Sequence, residues 1–278
     1  MKVKTILAVV LTGVLALSIV GCGAKTDKDA KTNASSTDKT ITIGVSPVPH
    51  KGIVEAAVPE LEAKGYTVEV KEFTDYVIPN TALDSGELDA NFFQHTPYLN
   101  EFNEKNGTKI KSLGAIHLEP LGAYSKKVKD IKELKDGATI AVPNDPSNES
   151  RALRLLEANG LIKLADGEIV TPKDIKENPK NFKFKELEAA LLPTVVDEVD
   201  LAVINGNYAL EVFNPSKDAL VIEDKDSEAS KPYGNVLAVK EGTENDEKIK
   251  ALKEALTSET VKKYINDTYK DGSVIPVF

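Results

Sequence analysis

The stretch TIAVPNDPSNESRALRLLEANG, Thr139 to Gly160, reads as one strand, one turn and one helix in immediate succession. Thr139 to Val142 is a short β-rich run, Pro143-Asn144-Asp145 is a polar turn, and Ser147 to Asn159 carries helical patterning closed by Gly160. Working outward, the same alternation recurs from Thr40 onward. Candidate strands are Ile41 to Val45, Thr67 to Phe73, Leu88 to Phe92, Lys109 to Leu113, Phe182 to Glu186, Leu201 to Ile204, Leu220 to Ile222 and Val236 to Val239. Candidate helices are Ile53 to Lys64, Asn80 to Ser85, Pro97 to Asn106, Pro172 to Asn178, Asn245 to Thr257 and Glu259 to Tyr269. This spacing predicts α/β layers with mostly parallel sheets. Gly65 is expected to close the first helix, and Thr96-Pro97 to cap and open the third. Pro59 inside the first helix predicts a kink or a late start.

Composition narrows the function. The 278 residues suit one large domain or two smaller ones, and 41% hydrophobic with 28% charged residues is globular usage. A formal net charge of −9 disfavours nucleic acid as a partner, because phosphate binding is carried by Lys and Arg. With one cysteine, Cys22, there is no internal disulfide and no thiolate-rich zinc site.

The N-terminus reads as an address. Lys2 and Lys4 precede an apolar or small run from Ile6 to Val20, too short to span a bilayer as a mature helix. Ile19-Val20-Gly21-Cys22 resembles a bacterial lipobox, which makes Cys22 the lipidated mature N-terminus, so that 1–21 is a lipoprotein signal peptide. Residues 22–39 hold Ala as their only apolar residue past Cys22 and are expected to be a flexible tether. Cleavage removes Met1, the one methionine.

Open α/β sheets bind ligands past the carboxyl ends of their strands. Here those segments are polar and aromatic: Thr74-Asp75-Tyr76, Phe93-Gln94-His95, His117-Leu118-Glu119, Pro143-Asn144-Asp145 and Asn205-Gly206-Asn207-Tyr208. An exported, tethered α/β protein with such strand ends reads as a receptor rather than a metabolic enzyme.

EFTDYVIPNTALDSGELDANFFQHTPYL (Glu72 to Leu99), LEPLGAYSKK (Leu118 to Lys127), AVPNDPSNESRALRLLEANGLI (Ala141 to Ile162) and VDLAVINGNYAL (Val199 to Leu210) together resemble the methionine-binding lipoproteins of the NlpA/MetQ family, substrate-binding components of ABC importers. The resemblance implies a type II periplasmic-binding-protein fold, with two α/β lobes joined by two crossover strands. Lobe one is expected at 40–122 and 233–278, and lobe two at 123–232. It further implies a lipid-anchored, monomeric receptor on the extracytoplasmic face of the membrane, delivering methionine to a permease and an ATPase subunit, with no cofactor and no catalysis. No G-x-S-x-G elbow, P-loop or G-x-G-x-x-G fingerprint appears in the chain.

A cleft for a sulfur-bearing zwitterion needs a cation for the carboxylate, acceptors for the ammonium and an apolar slot. Arg151, with Asn148 three residues earlier on its helix, is the candidate fork for the carboxylate through two parallel bonds. Asn205 and Asn235 are candidate amide partners, with Asn207 and Asn144 behind them. Tyr76, Phe93, His95 and Tyr98 are the candidate aromatic wall, Phe93 being favoured over Phe92 because the two point to opposite faces of one strand. His95 and His117 are candidate donors to the ligand. The chain holds three histidines, His50, His95 and His117, and with Glu119 or Asp145 they also make a sound zinc or manganese set. A metal-ion receptor on the same architecture is therefore the alternative reading.

Overall fold

In the computed structural model, residues 39–278 are described, so the expected signal peptide, Cys22 and nearly all of the expected tether lie outside them. The chain runs β1 (Thr40–Val45), α1 (Gly52–Ala63), β2 (Thr67–Glu72), α2 (Ile78–Ser85), β3 (Ala90–His95), α3 (Thr96–Asn106) and β4 (Ile110–Leu118). It continues as β5 (Gly122–Tyr124), β6 (Thr139–Pro143), α4 (Pro146–Ala158), β7 (Lys163–Leu164), β8 (Ile175–Glu177), β9 (Lys183–Leu187), β10 (Leu201–Ile204), α5 (Gly206–Leu210), α6 (Pro215–Asp218) and β11 (Val221–Ile222). β12 (Asn235–Lys240), α7 (Glu247–Leu256), α8 (Glu259–Thr268) and β13 (Ile275–Pro276) complete it.

Two sheets carry the two lobes. The first has six strands in the order β13-β4-β12-β3-β1-β2, and the second five in the order β11-β5-β10-β6-β9. The chain passes from the first sheet to the second between β4 and β5 and returns between β11 and β12, so Gly122 already pairs in the second sheet, opposite Ile204. Parallel pairing is confined to β1 with β2 and β3, and β6 with β9 and β10. The strands at both crossings, β4, β5 and β12, pair antiparallel to their neighbours. The expectation of mostly parallel sheets is thus corrected: a chain that enters a lobe, leaves and returns supplies reversed strands at each passage.

Burial follows the strand period. Ile41, Ile43 and Val45 of β1 point to one face and are sealed by Ile53, Leu61, Leu252 and Leu256 of α1 and α7. On the other face Gly44 leaves room for Leu88 and Phe73, where a Cβ would stand 2.6 Å from Leu88 Cδ1. Phe92 joins the first cluster and Phe93 the second, so the two rings do diverge. In the second lobe Ile140 and Val142 pack on Leu153 and Leu156 of α4, while Ala141 faces Tyr124 and Leu192.

Three local expectations change. α1 starts at Gly52 and continues through Pro59, which removes a single N–H, while Ile53, Val54, Ala57 and Leu61 hold the helix on the sheet. The helix expected over Pro172 to Asn178 is one turn, Pro172–Asp174, followed by β8. A reciprocal cap between Thr171 and Asp174 closes that turn, and β8 then pairs with β7. The N-cap of α3 is His95 rather than Thr96, because its imidazole Nδ1 accepts the Tyr98 N–H at 3.2 Å. Among the described residues no helix is long and apolar enough to cross a membrane.

Candidate functional site

The carboxyl ends of β3, β6 and β10 and the two crossings meet at one small cavity. It encloses about 320 Å³ counting the open space at its mouth. β3 supplies Phe93 and His95, the segment after β2 supplies Tyr76, and α3 supplies Tyr98. Asn148 and Arg151 come from the first turns of α4, Asn205 and Asn207 from the entry to α5, and Asn235 from the start of β12. Glu119, on the first crossing, completes the wall.

The lobes are bonded to each other around this cavity. Tyr76 Oη donates to Asn207 Oδ1 at 2.6 Å, Tyr208 Oη donates to the Thr74 carbonyl at 3.0 Å, and the Ser147 N–H donates to Glu101 at 3.1 Å. Tyr76, Phe93 and Tyr98 form a slot with ring centroids 5.6 to 6.1 Å apart. Burial holds the Tyr76 hydroxyl well above its ordinary titration range, so it stays a neutral donor.

Two buried polar atoms at this cavity lack partners. Asn205 donates its Nδ2 to Asn148 Oδ1 at 2.7 Å, leaving its own Oδ1 without a hydrogen bond. Asn207 accepts from Tyr76 through Oδ1, leaving Nδ2 without one. One bare acceptor and one bare donor thus line the same space. Buried polar atoms are nearly always satisfied, and a ligand is the simplest source of the missing partners.

Arg151 is placed at the cavity but not as an unoccupied fork. Its Nε and Nη2 hold Glu223 at 3.0 and 2.5 Å, and Nη2 also donates to the Glu119 carbonyl at 3.0 Å. The Tyr233 ring lies 4.2 Å beneath the guanidinium. Burial opposes the charge, yet Glu223 carries the guanidinium above its ordinary range. Glu223, 72 residues away in sequence, thus occupies the Nε–Nη2 edge of the expected carboxylate fork. Nη1 takes part in none of these bonds.

His117 stands behind the cavity rather than in it. Asn235 lies in register between His95 on β3 and His117 on β4, and it is Asn235 that reaches the cavity wall. The His117 ring packs edge-on to Phe92 and to His50, and its Nε2 meets Glu119 Oε1 at 2.6 Å. His50 Nε2 lies 3.2 Å from Asn235 Oδ1 and 3.5 Å from Glu119 Oε1. His50, His117 and Glu119 are the one His/Cys/Asp/Glu group among the described residues compact enough to hold a metal. His95 is elsewhere, bonded to Asn148 at 2.9 Å. A metal-bound imidazole usually donates its second N–H to an outer partner, and His117 Nδ1 has none. The group therefore fits a hydrogen-bond relay behind Asn235 and Glu119 better than a metal centre. Sequence reading passed over Glu119 as a cavity residue, and also Gly206, Gln94 and Glu223; only the strand-end rule, for Glu119, Gln94 and Gly206, offered a signal.

This buried cluster makes stability depend on pH. Burial lowers His50 to about 4 and His95 and His117 to about 3, so between those values and 6.5 the unfolded chain binds protons that the folded chain refuses. Stability from the histidines is complete above 6.5 and is lost as pH falls. Burial pushes Glu119 up to about 7, which acts oppositely: from 4.5 upward its folded form resists ionisation. Burial displaces Glu149 the same way, to about 7. The three histidines outnumber Glu119 and Glu149, leaving a net of about one proton near pH 5.5 and a slope on the order of 1 kcal/mol per pH unit from these five groups. Urea midpoints are expected to fall from pH 6.5 to pH 5; a midpoint that rises would contradict the neutral-histidine assignment.

Two α/β lobes that meet at a small cavity with unmatched polar atoms and are joined by two crossings define the class of two-lobed substrate-binding proteins. Residues 41–278 match the family model described as NlpA lipoprotein, and the chain belongs to that family. It is 43% identical to the methionine-binding lipoprotein MetQ of Bacillus subtilis, over 94% of this chain and 97% of that one. A solved lipoprotein from Ruminococcus gnavus is 51% identical with a TM-score of 0.84, covering 86% of this chain and all of the other. A nutrient-binding protein from Burkholderia cenocepacia, solved with methionine bound, is 45% identical with a TM-score of 0.81 over the same shares.

Proposed function

We propose that this chain is the lipid-anchored receptor of an ABC importer and captures methionine, as the L-isomer, outside the membrane. The observation that carries this is the pair of bare atoms, Asn205 Oδ1 and Asn207 Nδ2, beside Arg151 and the slot of Tyr76, Phe93 and Tyr98. The acceptor suits the ammonium, the donor and Arg151 Nη1 suit the carboxylate, and the rings suit the thioether, with about 0.3 to 1.5 kcal/mol for each sulfur–ring contact. Asn235 receives His50 on its Oδ1 and so offers its amino group to the same carboxylate. His95 and Asn148 act from one bond behind, and His117 through Glu119.

The bonds between the lobes support closure over a ligand, and the pairing of Gly122 in the second sheet supports a first passage at Leu121–Gly122, one residue before the expected bound of 122. A ligand favours closure only by binding the closed form better than the open one. The anchor is Cys22, the partners are a membrane permease and its ATPase, and the receptor acts as a monomer without a cofactor or a catalytic step. The methionine bound to the Burkholderia relative supports the ligand class.

Calorimetry on refolded, ligand-stripped protein tests the reading. L-Methionine is expected to bind with a defined stoichiometry of one and to raise the thermal midpoint, while alanine and glutamate bind at least tenfold more weakly. No heat with methionine at any accessible concentration would overturn it, and saturable zinc binding in its place would restore the metal reading.

A further inference from the structure

Asp145 caps α4, the helix that carries Asn148 and Arg151, by accepting the Asn148 N–H at 2.9 Å. The geometry points to a second role: Asp145 is a positioning residue that decides, through Asn148, which atom of Asn205 faces the ligand, and so makes the cavity select for an ammonium group. This rests on reading the cavity as a zwitterion site.

The chain of bonds has one direction. A carboxylate only accepts, and Asn148 Nδ2 lies 2.9 and 3.1 Å from the two Asp145 oxygens, so that end of the amide is its amino group. Ser147 Oγ donates to the same carboxylate at 3.0 Å. Asn148 Oδ1 must therefore accept, and it does so twice, from Asn205 Nδ2 at 2.7 Å and from His95 Nε2 at 2.9 Å. Asn205 has then turned its amino group toward Asn148 and is left with the bare Oδ1. At the far end His95 Nδ1 accepts the Tyr98 N–H, which places the imidazole proton on Nε2 and agrees with the direction imposed by Asp145. Asp145 itself does not line the cavity; it borders the wider groove outside it.

An amide at position 145 keeps the helix cap, because Asn caps as well as Asp, but sets an amino group against the amino group of Asn148. Turning Asn148 over relieves the contact at the former Oδ2, and then Asn205 presents Nδ2 where the ammonium should find Oδ1. Asp145→Asn is expected to weaken methionine at least tenfold. It should also shrink, by tenfold or more, the preference for methionine over 4-(methylthio)butanoate, which is methionine without its ammonium. Asp145→Ser, which caps through its hydroxyl but gives Asn148 Nδ2 no carboxylate, should lose the same preference, and serves if the amide variant folds poorly. A variant that merely loosened the fold would weaken both ligands alike. Nitrogen NMR of His95 in the ligand-free protein reads the chain without any ligand: the Tyr98 N–H keeps the imidazole proton on Nε2 in both proteins, and in Asp145→Asn the turned Asn148 no longer offers that N–H an acceptor, so the Nε2 resonance should shift as its hydrogen bond is lost. Unchanged preference together with an unchanged His95 Nε2 resonance would overturn the role of Asp145. If the wild type binds no methionine the receptor reading fails instead, and the His95 comparison alone still decides whether Asp145 directs the amides.

Discussion

Arg151→Ala should leave a folded but weakened protein that no longer responds to methionine. The guanidinium is 4% exposed and its partner Glu223 13%, so truncation strands a carboxylate and the Glu119 carbonyl in a poorly solvated place. Breaking a buried pair from one side costs about 3–5 kcal/mol, enough to lower the thermal midpoint by several degrees. The binding loss is separate and should reach about a hundredfold, since a hydrogen bond to a charged group contributes about 1.5–3 kcal/mol and the cavity loses its only cationic side chain. The two effects can be parted by the double variant Arg151→Met with Glu223→Gln, which removes both charges at once. It should recover most of the stability and none of the binding. Recovery of binding as well would mean that Arg151 serves only to neutralise Glu223, and the carboxylate would then need another partner.

Gly206→Ala should block closure. A Cβ at this position would stand 2.5 Å from Glu119 Cβ and 2.9 Å from Glu119 Oε2. Glu119 cannot step aside, because His117 holds Oε1 and Arg151 holds its carbonyl. Gly206 sits on the second lobe and Glu119 on the crossing, so separating the lobes relieves the overlap while the folded cores stay intact. Overpacking of this kind costs about 1–3 kcal/mol, here charged to the closed form alone, and methionine affinity should fall about 10- to 100-fold. The unfolding midpoint without ligand should move little. Solution scattering should show the variant remaining expanded with methionine where the wild type contracts; full contraction with unaltered affinity would show that the contact yields.

Much of the architecture was legible one segment at a time. Thr139 to Gly160 declares a strand, a polar turn and a helix through residue types that act locally: branched side chains, turn formers and a closing glycine with φ of 74°. The strand-end rule then collected Tyr76, Phe93, His95, Asn205 and Glu119 at the correct ends of their strands. Local rules failed where a distant group competed. Thr96 has the chemistry of a cap, but the imidazole of His95 reaches the Tyr98 N–H first. Pro172 opens what looks like a helix, but β7 claims the residues after its first turn.

The sequence by itself determined that the chain is an α/β protein of alternating units, with an amide- and aromatic-rich set of strand ends and a resemblance carried by four long motifs. Those features depend on neighbours a few residues apart, and the physics of caps, turns and side-chain period reads them directly. Tertiary structure alone decided that Arg151 answers to Glu223, that His117 serves Glu119 from behind, and that Asp145 settles which face Asn205 turns inward. Each of these is a choice of partner between groups tens of residues apart, and a donor or acceptor shows no preference until folding brings one candidate within about 3 Å and excludes water from the rest.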